Sequence, residues 1–488
     1  MTVSLDSVLN ALRERGVSVR VQDGLPEHVT GVADDSRKVE EGFLFCAVEG
    51  TGVDGHDYIE QAVQNGASAA IVTKESDVSI PQIVVDDDRL AVGIAASVWF
   101  GNPGDHMVLV GITGTNGKST TAAVVRHLLN EEEDVGLVGT LGAFDGSGNA
   151  LYLEGLTTPG PIQIHETLAW MRSRGTRAVV METSSHALEQ KRVDGLSFSV
   201  AVFTNLSQDH LDYHASFEEY LAAKARLADL VESGGAVVVN ADAPQWEGLK
   251  VGAGVKRISF GIEAEADIRA TNLSLDAAGS KFHLEVLGEK TQVTAPLIGL
   301  FNVSNILGAV GVGVHLGLSV DVISERLRVI PQVDGRMEAI VSDGWVVLRD
   351  YAHTPDALER ALTALRPLTR GRLIVLFGCG GDRDRGKRPL MGKVAAEKAD
   401  WAFVTSDNPR TEAPDAIIDE IVSGMEPGGF ERIVDRREAI KRAVEQLQEG
   451  DCLLLAGKGH ETYQVLGTER FPFDEPQIVL DAAAGRTR

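Results

Sequence analysis

Cysteine is scarce in this chain. Cys46, Cys379 and Cys452 are odd in number and far apart, so they supply neither a disulfide framework nor a paired metal knuckle, and they fit a reducing compartment. Long apolar runs are missing as well: none reaches about 18 residues, so no segment is expected to span a bilayer. Near the start, Leu5, Val8, Leu9 and Leu12 alternate with charges, the spacing of an amphipathic helix rather than a signal peptide. Basic residues are too few to balance the acids. Forty-six Lys and Arg against 71 Asp and Glu leave a formal charge of -25, which excludes a general nucleic-acid or anionic-membrane coat. The deficit is uneven: residues 1–100 carry -10, residues 101–335 carry -11, and residues 336–488 only -4. No internal repeat or low-complexity stretch suggests a solenoid. The expectation is a cytoplasmic protein without membrane insertion or a nucleic-acid partner.

What is present is α/β patterning over 488 residues, enough for about three domains. A small α/β N-terminal domain is expected over 1–103, closed by the turn-rich Gly101-Asn-Pro-Gly104. A central domain over 104–334 opens with the apolar run 107–113, and further β-branched runs at 177–181, 198–203 and 235–239 alternate with helical patterns. That alternation predicts a mostly parallel sheet. The last domain, 335–488, repeats the scheme with runs at 345–349, 372–377, 401–405 and 452–456, and reads as Rossmann-like.

The strongest local signal is Gly111-Ile-Thr-Gly-Thr-Asn-Gly-Lys118-Ser-Thr, between a strand and a helix. Backbone N–H groups of such a loop (Gly114, Thr115, Asn116, Gly117, Lys118, Ser119, Thr120) form one concavity, and the helix N-terminus adds positive potential. Lys118 would reach the terminal phosphates and Ser119 would ligate Mg²⁺. The general phosphate-loop pattern wants glycine six residues before the lysine, and position 112 is Ile. A glycine-rich turn that binds nothing is the plain alternative.

Ser216-Phe-Glu-Glu219 fits a capping box and predicts a helix from 217. Lys224 falls in that helix's apolar stripe, where it must snorkel, pair with an anion or lose its proton. Glu182 closes the run Ala178-Val-Val-Met-Glu182, and a carboxylate at that end of a parallel strand faces the ligand crevice. Asp209, His210, Asp212 and His214 cluster just before the Lys224 helix. Gly378-Cys-Gly-Gly-Asp-Arg383 resembles a dinucleotide fingerprint but has Arg383 at the third glycine position, so a nicotinamide cofactor is rejected.

The loop variant Gly-Thr-Asn-Gly-Lys118-Ser-Thr resembles the ATP loop of the Mur ligase family. The resemblance extends along most of the chain through Thr157-Thr-Pro159, Glu182-Thr-Ser-Ser-His186, Gln190-Lys-Arg192, Phe301-Asn-Val-Ser-Asn305, Gly335-Arg-Met-Glu338 and Asp350-Tyr-Ala-His-Thr-Pro355. Gly380-Gly-Asp-Arg-Asp-Arg-Gly-Lys-Arg-Pro389, Asp407-Asn-Pro-Arg410 and Gly457-Lys-Gly-His-Glu461 complete it. It implies three α/β domains, a central P-loop-type sheet among them, and ATP-dependent carboxylate–amine ligation through an acyl phosphate. Within the family the motifs are similar to those of members that add meso-diaminopimelate to a UDP-N-acetylmuramoyl dipeptide in peptidoglycan synthesis, with L-lysine as the alternative amino acid.

The resemblance also implies site residues. Lys118, Glu182, His210 and Lys224 would be catalytic. Ser119, Glu182, His210 and Lys224, the last as a CO₂-derived carbamate, would hold two Mg²⁺. Asn302, Arg336 and Asp350 would join the ATP site. Asp34, Ser36, Thr51, Gly52, Val53, Thr157, Thr158, Ser184, Gln190 and Arg192 would bind the nucleotide-sugar donor, although Leu156 stands where some relatives have Asn. Arg383, Asp407, Asn408, Pro409, Arg410, Gly457 and Glu461 would bind diaminopimelate. Guanidiniums suit its distal carboxylate and Glu461 its ammonium, while Asn408 offers both a donor and an acceptor. A monomer whose domains close over the substrates is expected.

Overall fold

The computed structural model describes residues 2–50, 52–131, 134–151, 156–207, 213–276 and 278–486. It divides into two compact units. The first comprises Met1–Arg269, Glu285–Glu289 and Ser304–Ile323; the second comprises Ala270–Leu284, Lys290–Val303 and Ser324–Arg488.

Two sheets organise the first unit. In the N-terminal one the strands run in the order Val19–Val21, Gln82–Val85, Ala69–Val72, Phe43–Cys46, Gly31–Ala33, parallel except for the first pair. The amphipathic helix forms at Leu5–Glu14 and buries Leu5, Val8, Leu9 and Leu12. In the central sheet the parallel strands run Val135–Gly139, Ala178–Glu182, Val108–Thr113, Phe198–Phe203, Val231–Asn240, Lys256–Gly261. Their nearly unbroken apolar runs suit strands covered on both faces. The order places the carboxyl ends of Val108–Thr113, Ala178–Glu182 and Phe198–Phe203 side by side, where the crevice of a parallel α/β sheet opens. Residues 1–103 share this unit with the central sheet because helix Asp88–Trp99 lies against the segment that follows Arg192: a Cβ on Gly93 would stand 3.3 Å from Gly195 N. Lys191 also pairs with Asp87 across this seam.

The second unit contains a six-stranded sheet ordered Glu338–Ser342, Val346–Asp350, Cys452–Ala456, Leu373–Phe377, Trp401–Val404, Phe430–Arg432, parallel except for its first pair. Patterning had not indicated the hairpin Tyr463–Leu466 with Glu469–Pro472, in which exposed residues give little alternation. Among the described residues no helix is long and apolar enough to cross a membrane.

A buried ion pair anchors the end of strand Cys452–Ala456 in the second unit. Arg436 Nε donates to Glu475 at 2.7 Å with both side chains fully buried, and Nη2 donates to Ala456 O at 3.0 Å, one residue before Gly457. Arg436→Met strands the Glu475 carboxylate away from water, so a loss of about 3–5 kcal/mol of stability is expected. An unchanged thermal or urea midpoint in that variant would refute this.

Candidate active site

The phosphate loop begins where strand Val108–Thr113 ends. Ile112 lies inside that strand, opposite Glu182, so the turn starts at Gly114 and the departure from the general pattern is accommodated by a longer strand. Two glycines are obligatory for steric reasons. Gly114 (φ +142°) would put a Cβ 1.9 Å from Thr204 Oγ1, and Gly117 (φ +87°) would put one 2.2 Å from Asn305 Oδ1. The loop is braced by the chain after Phe203: Thr115 N donates to Asn205 O at 2.8 Å, Asn116 N to Asn205 Oδ1 at 3.0 Å, and Thr204 Oγ1 to Asn116 O at 2.7 Å. Lys118 Nζ donates to Gly114 O at 3.0 Å and to Thr115 O at 2.8 Å. Thr120 is buried in the first turn of helix Lys118–Leu129.

Glu182 ends the strand beside this loop. Its buried carboxylate accepts from Ser119 Oγ at 3.0 Å, Thr140 N at 2.9 Å and Thr140 Oγ1 at 3.2 Å, and forms no ion pair among the described residues. Gly139 makes room for it, since a Cβ there would stand 2.2 Å from Glu182 Oε1. Ser119 and Glu182 therefore present hard oxygen donors suited to Mg²⁺. Among the described residues no group of three or more His, Cys, Asp or Glu forms a metal cluster.

The expected helix forms at Phe217–Asp229 and the cap is half of a capping box: Ser216 Oγ accepts from Glu219 N, whereas the Glu219 carboxylate accepts from Ala215 N rather than from Ser216 N. Lys224 does not snorkel. It is 1% exposed, turns inward to donate to Gly114 O at 2.9 Å, and lies 4.6 Å from the centre of the Tyr220 ring. Lys118 and Lys224 thus converge on one carbonyl oxygen. His210 lies outside the described residues, as do Asp209, Asp212 and Thr51. The rest of that cluster is visible: His214 is buried, its ring 4.9 Å from Tyr213 and 5.6 Å from His186.

Five expected donor-binding residues come together around the same strand end. Thr157 Oγ1 is 3.1 Å from Thr140 Oγ1. Thr158 Oγ1 donates to Glu182 O at 2.8 Å and accepts from Ser184 N at 3.0 Å. Arg192 donates to Thr158 O at 2.8 Å and, through two nitrogens, to Gln190 Oε1 at 2.7 and 3.1 Å. The Gln190 amide in turn donates to the Tyr213 hydroxyl at 2.9 Å. Thr140 and Tyr213 were missed from sequence because neither lies in a recognisable spacing. Leu156 is exposed. Ser36 is held by Gln61 at 2.8 Å, burial pushes the Asp34 carboxyl above its ordinary range, and Gly52 and Val53 form part of a surface turn. Among the described residues no hydrogen bond joins Asp34, Ser36, Gly52 or Val53 to the Thr157–Arg192 group.

In the second unit the expected amino-acid residues leave neighbouring strand ends. Arg410 (φ +51°) donates to Gly381 O at 2.8 Å; a Cβ on Gly380 would stand 2.9 Å from Arg410 Nη1 and 3.7 Å from Arg383 Cγ, so both guanidinium side chains flank Gly380. Pro409 O approaches Gly381 so closely that a Cβ there would stand 1.9 Å away. Asn408 donates to Glu461 at 2.8 Å, and burial pushes the Glu461 carboxyl up against the opposing effect of Lys458. Asp407 has a buried Oδ2 with no partner, 2.8 Å from where a Cβ on Gly457 (φ +109°) would be. Behind them Arg388, fully buried, makes two bonds to Glu412, one to Glu420 and one to Gly380 O, fixing the two arginine-bearing loops. Asp350 accepts from Met337 N and Ala352 N, and burial raises its carboxyl with Arg336 opposing; Arg336 itself stacks 4.8 Å above Tyr351. Asn302 is buried and donates to Ile298 O at 2.8 Å. The residue sequence reasoning overlooked here is Lys458: it lies inside the Gly457–Glu461 motif without an assigned role, yet it is fully buried.

A glycine loop between a parallel strand and a helix, with a buried carboxylate and lysine beside it, defines an α/β enzyme that handles phosphorylated substrates. The chain belongs to the Mur ligase family. The family's catalytic-domain profile matches residues 28–98, the Mur ligase middle domain 112–313, and the Mur ligase glutamate ligase domain 335–459. It is 42% identical over 466 residues, 94% of each chain, to the UDP-N-acetylmuramoyl-L-alanyl-D-glutamate–2,6-diaminopimelate ligase of Gloeobacter violaceus. It is 40% identical over 461 residues, again 94% of each, to the ligase of the same name from Aquifex aeolicus. A solved structure of a ligase so named matches all of both chains with a TM-score of 0.73 and 32% identity.

Gly139→Ala tests the carboxylate's setting. Its methyl group would displace Glu182, and a fall of at least about tenfold in ATP-dependent turnover is expected with the thermal midpoint little changed. Full activity would show that the position of Glu182 does not matter.

Proposed function

We propose that this protein joins meso-diaminopimelate to the D-glutamate γ-carboxylate of UDP-N-acetylmuramoyl-L-alanyl-D-glutamate, cleaving ATP to ADP and phosphate. The observation that carries the reading is the full-length likeness to ligases of that name. Supporting it, the second unit sets Arg383 and Arg410 at Gly380, and Asn408 with Glu461 at the next strand end. Opposite charges of that kind fit the two ends of a distal amino-acid centre.

In this mechanism residues 114–120 cradle the ATP phosphates, and Lys118 turns from its loop carbonyls to the terminal phosphate. Thr157, Thr158, Ser184, Gln190 and Arg192, with Asp34, Ser36 and the 51–53 turn at the uridine end, hold the donor. Its carboxylate attacks the γ-phosphorus, giving an acyl phosphate and ADP. The amine of diaminopimelate then attacks the acyl carbon, and the tetrahedral intermediate collapses to amide and phosphate. Asn302, Arg336 and Asp350 serve the nucleotide. Ser119, Glu182, His210 and a carbamylated Lys224 would hold two Mg²⁺, which supply charge neutralisation at the transferring phosphoryl group. A carbamate on Lys224 would set an anion beside Lys118, since both side chains reach the Gly114 carbonyl. The enzyme is further proposed to act as a cytoplasmic monomer, which light scattering would report as 52.1 kDa.

Donor-dependent phosphate release should occur with meso-diaminopimelate and not with L-lysine, whose side chain ends in a cation that Arg410 repels. Arg410→Ala should raise KM for diaminopimelate by about tenfold to a hundredfold. Activity with lysine alone would replace the proposed substrate. Lys224→Ala should lose at least about a hundredfold in turnover and regain part of it with added acetate or formate. If that variant keeps wild-type turnover, the carbamate is eliminated.

A further inference from the structure

Lys458 sits at the base of the amino-acid side, fully buried between Gly457 and Gly459. Its Nζ donates to Asn408 Oδ1 at 3.0 Å and to Tyr463 O at 2.8 Å, and lies 3.6 Å from Glu461 Oε2. A second donor, Val465 N, reaches the same Asn408 oxygen at 2.9 Å. An ammonium and a backbone N–H have no acceptor to offer, so the atom facing both must be the amide oxygen. The orientation of the Asn408 amide therefore follows from its chemistry. Its NH₂ group is then turned the other way, toward Glu461.

We propose that Lys458 is a positioning residue for the amino-acid site, locking the Asn408 amide with its oxygen turned inward so that Asn408 meets incoming ligand as a hydrogen-bond donor only. The expectation that Asn408 offers both a donor and an acceptor is thereby narrowed, since both lone-pair directions of its oxygen are engaged. The ligand group it recognises is an acceptor, a carboxylate oxygen, and a ligand ammonium falls to the acidic side chains, Asp407 and Glu461. Lys458 further holds Glu461 through charge, so one buried cation sets the two polar groups that sort the ends of a zwitterion. This rests on the proposed substrate.

The test uses the full-length protein with ATP, donor and meso-diaminopimelate. Lys458→Met fills the space without a donor and should raise KM for diaminopimelate by about tenfold or more, leaving kcat and KM for ATP within about twofold. Lys458→Arg keeps a cation that can donate and should recover most of the loss. The decisive arm is the double variant Lys458→Met with Asn408→Ala. If Lys458 acts through Asn408, Lys458→Met should cost clearly less in the Asn408→Ala background than in the wild type, the remainder running through Glu461; fully additive effects would overturn the proposal. The assignment is also tested without substrate, by the side-chain NH₂ resonances of asparagine-labelled protein. The pair that disappears in Asn408→Ala should shift in Lys458→Met, and an unmoved pair would refute the lock. Absence of any diaminopimelate-dependent turnover in the wild type, with that shift observed, would sink the substrate assignment and leave the lock standing.

Discussion

The first unit depends on how the Glu182 carboxylate is held. It sits at the end of a buried parallel strand, where a negative charge is costly unless donors surround it. Ser119 supplies one from the first turn of the phosphate-loop helix, and Thr140 supplies two from the neighbouring strand end. The backbone carbonyl of the same glutamate receives Thr158, which in turn holds Ser184 and Arg192. One residue therefore ties the glycine loop to the Thr157–Arg192 segment, the one proposed to bind the donor. Gly139 is the steric counterpart of that arrangement, leaving no room for any other side chain.

The second unit solves the opposite electrostatic problem. Here a ligand with both charges has to be met, and the strand ends carry both signs within a few residues. Arg388 is buried, and its two terminal nitrogens bond to Glu412, Glu420 and Gly380 O, so it fixes loops and leaves Arg383 and Arg410 flanking Gly380. Lys458 does the same for the acidic side by fixing Asn408 and Glu461. The formal charge of -25 belongs to the surface as a whole. Recognition of anionic substrates is left to N–H groups, lysines and guanidiniums placed at strand ends.

Much of the architecture was legible because parallel strands buried on both faces read as uninterrupted apolar runs. Val108–Thr113, Ala178–Glu182, Phe198–Phe203, Leu373–Phe377 and Cys452–Ala456 all formed within a residue or two of their runs. Helix starts were legible where a short polar side chain caps them, as at Ser216. The hairpin at 463–472 was not, because its stability comes from tertiary pairing rather than from an amphipathic pattern. Thr140, Tyr213 and Lys458 were illegible for a related reason: each acts through a partner far away in sequence, at Glu182, Gln190 and Asn408.

By itself, then, the sequence determined the chemistry on offer: a glycine loop ending in Lys118-Ser-Thr, a carboxylate at a strand end, and arginines concentrated in the least acidic third. It also determined that Lys224 would fall on an apolar helix face. Only the tertiary structure decided that this lysine turns inward to the Gly114 carbonyl, and that the Asn408 oxygen is consumed by Lys458 and Val465. The physical reason is common to both. Residue type and local spacing set which groups can donate or accept, but the direction of a buried polar group is chosen by whichever partners the packed chain brings within hydrogen-bond reach.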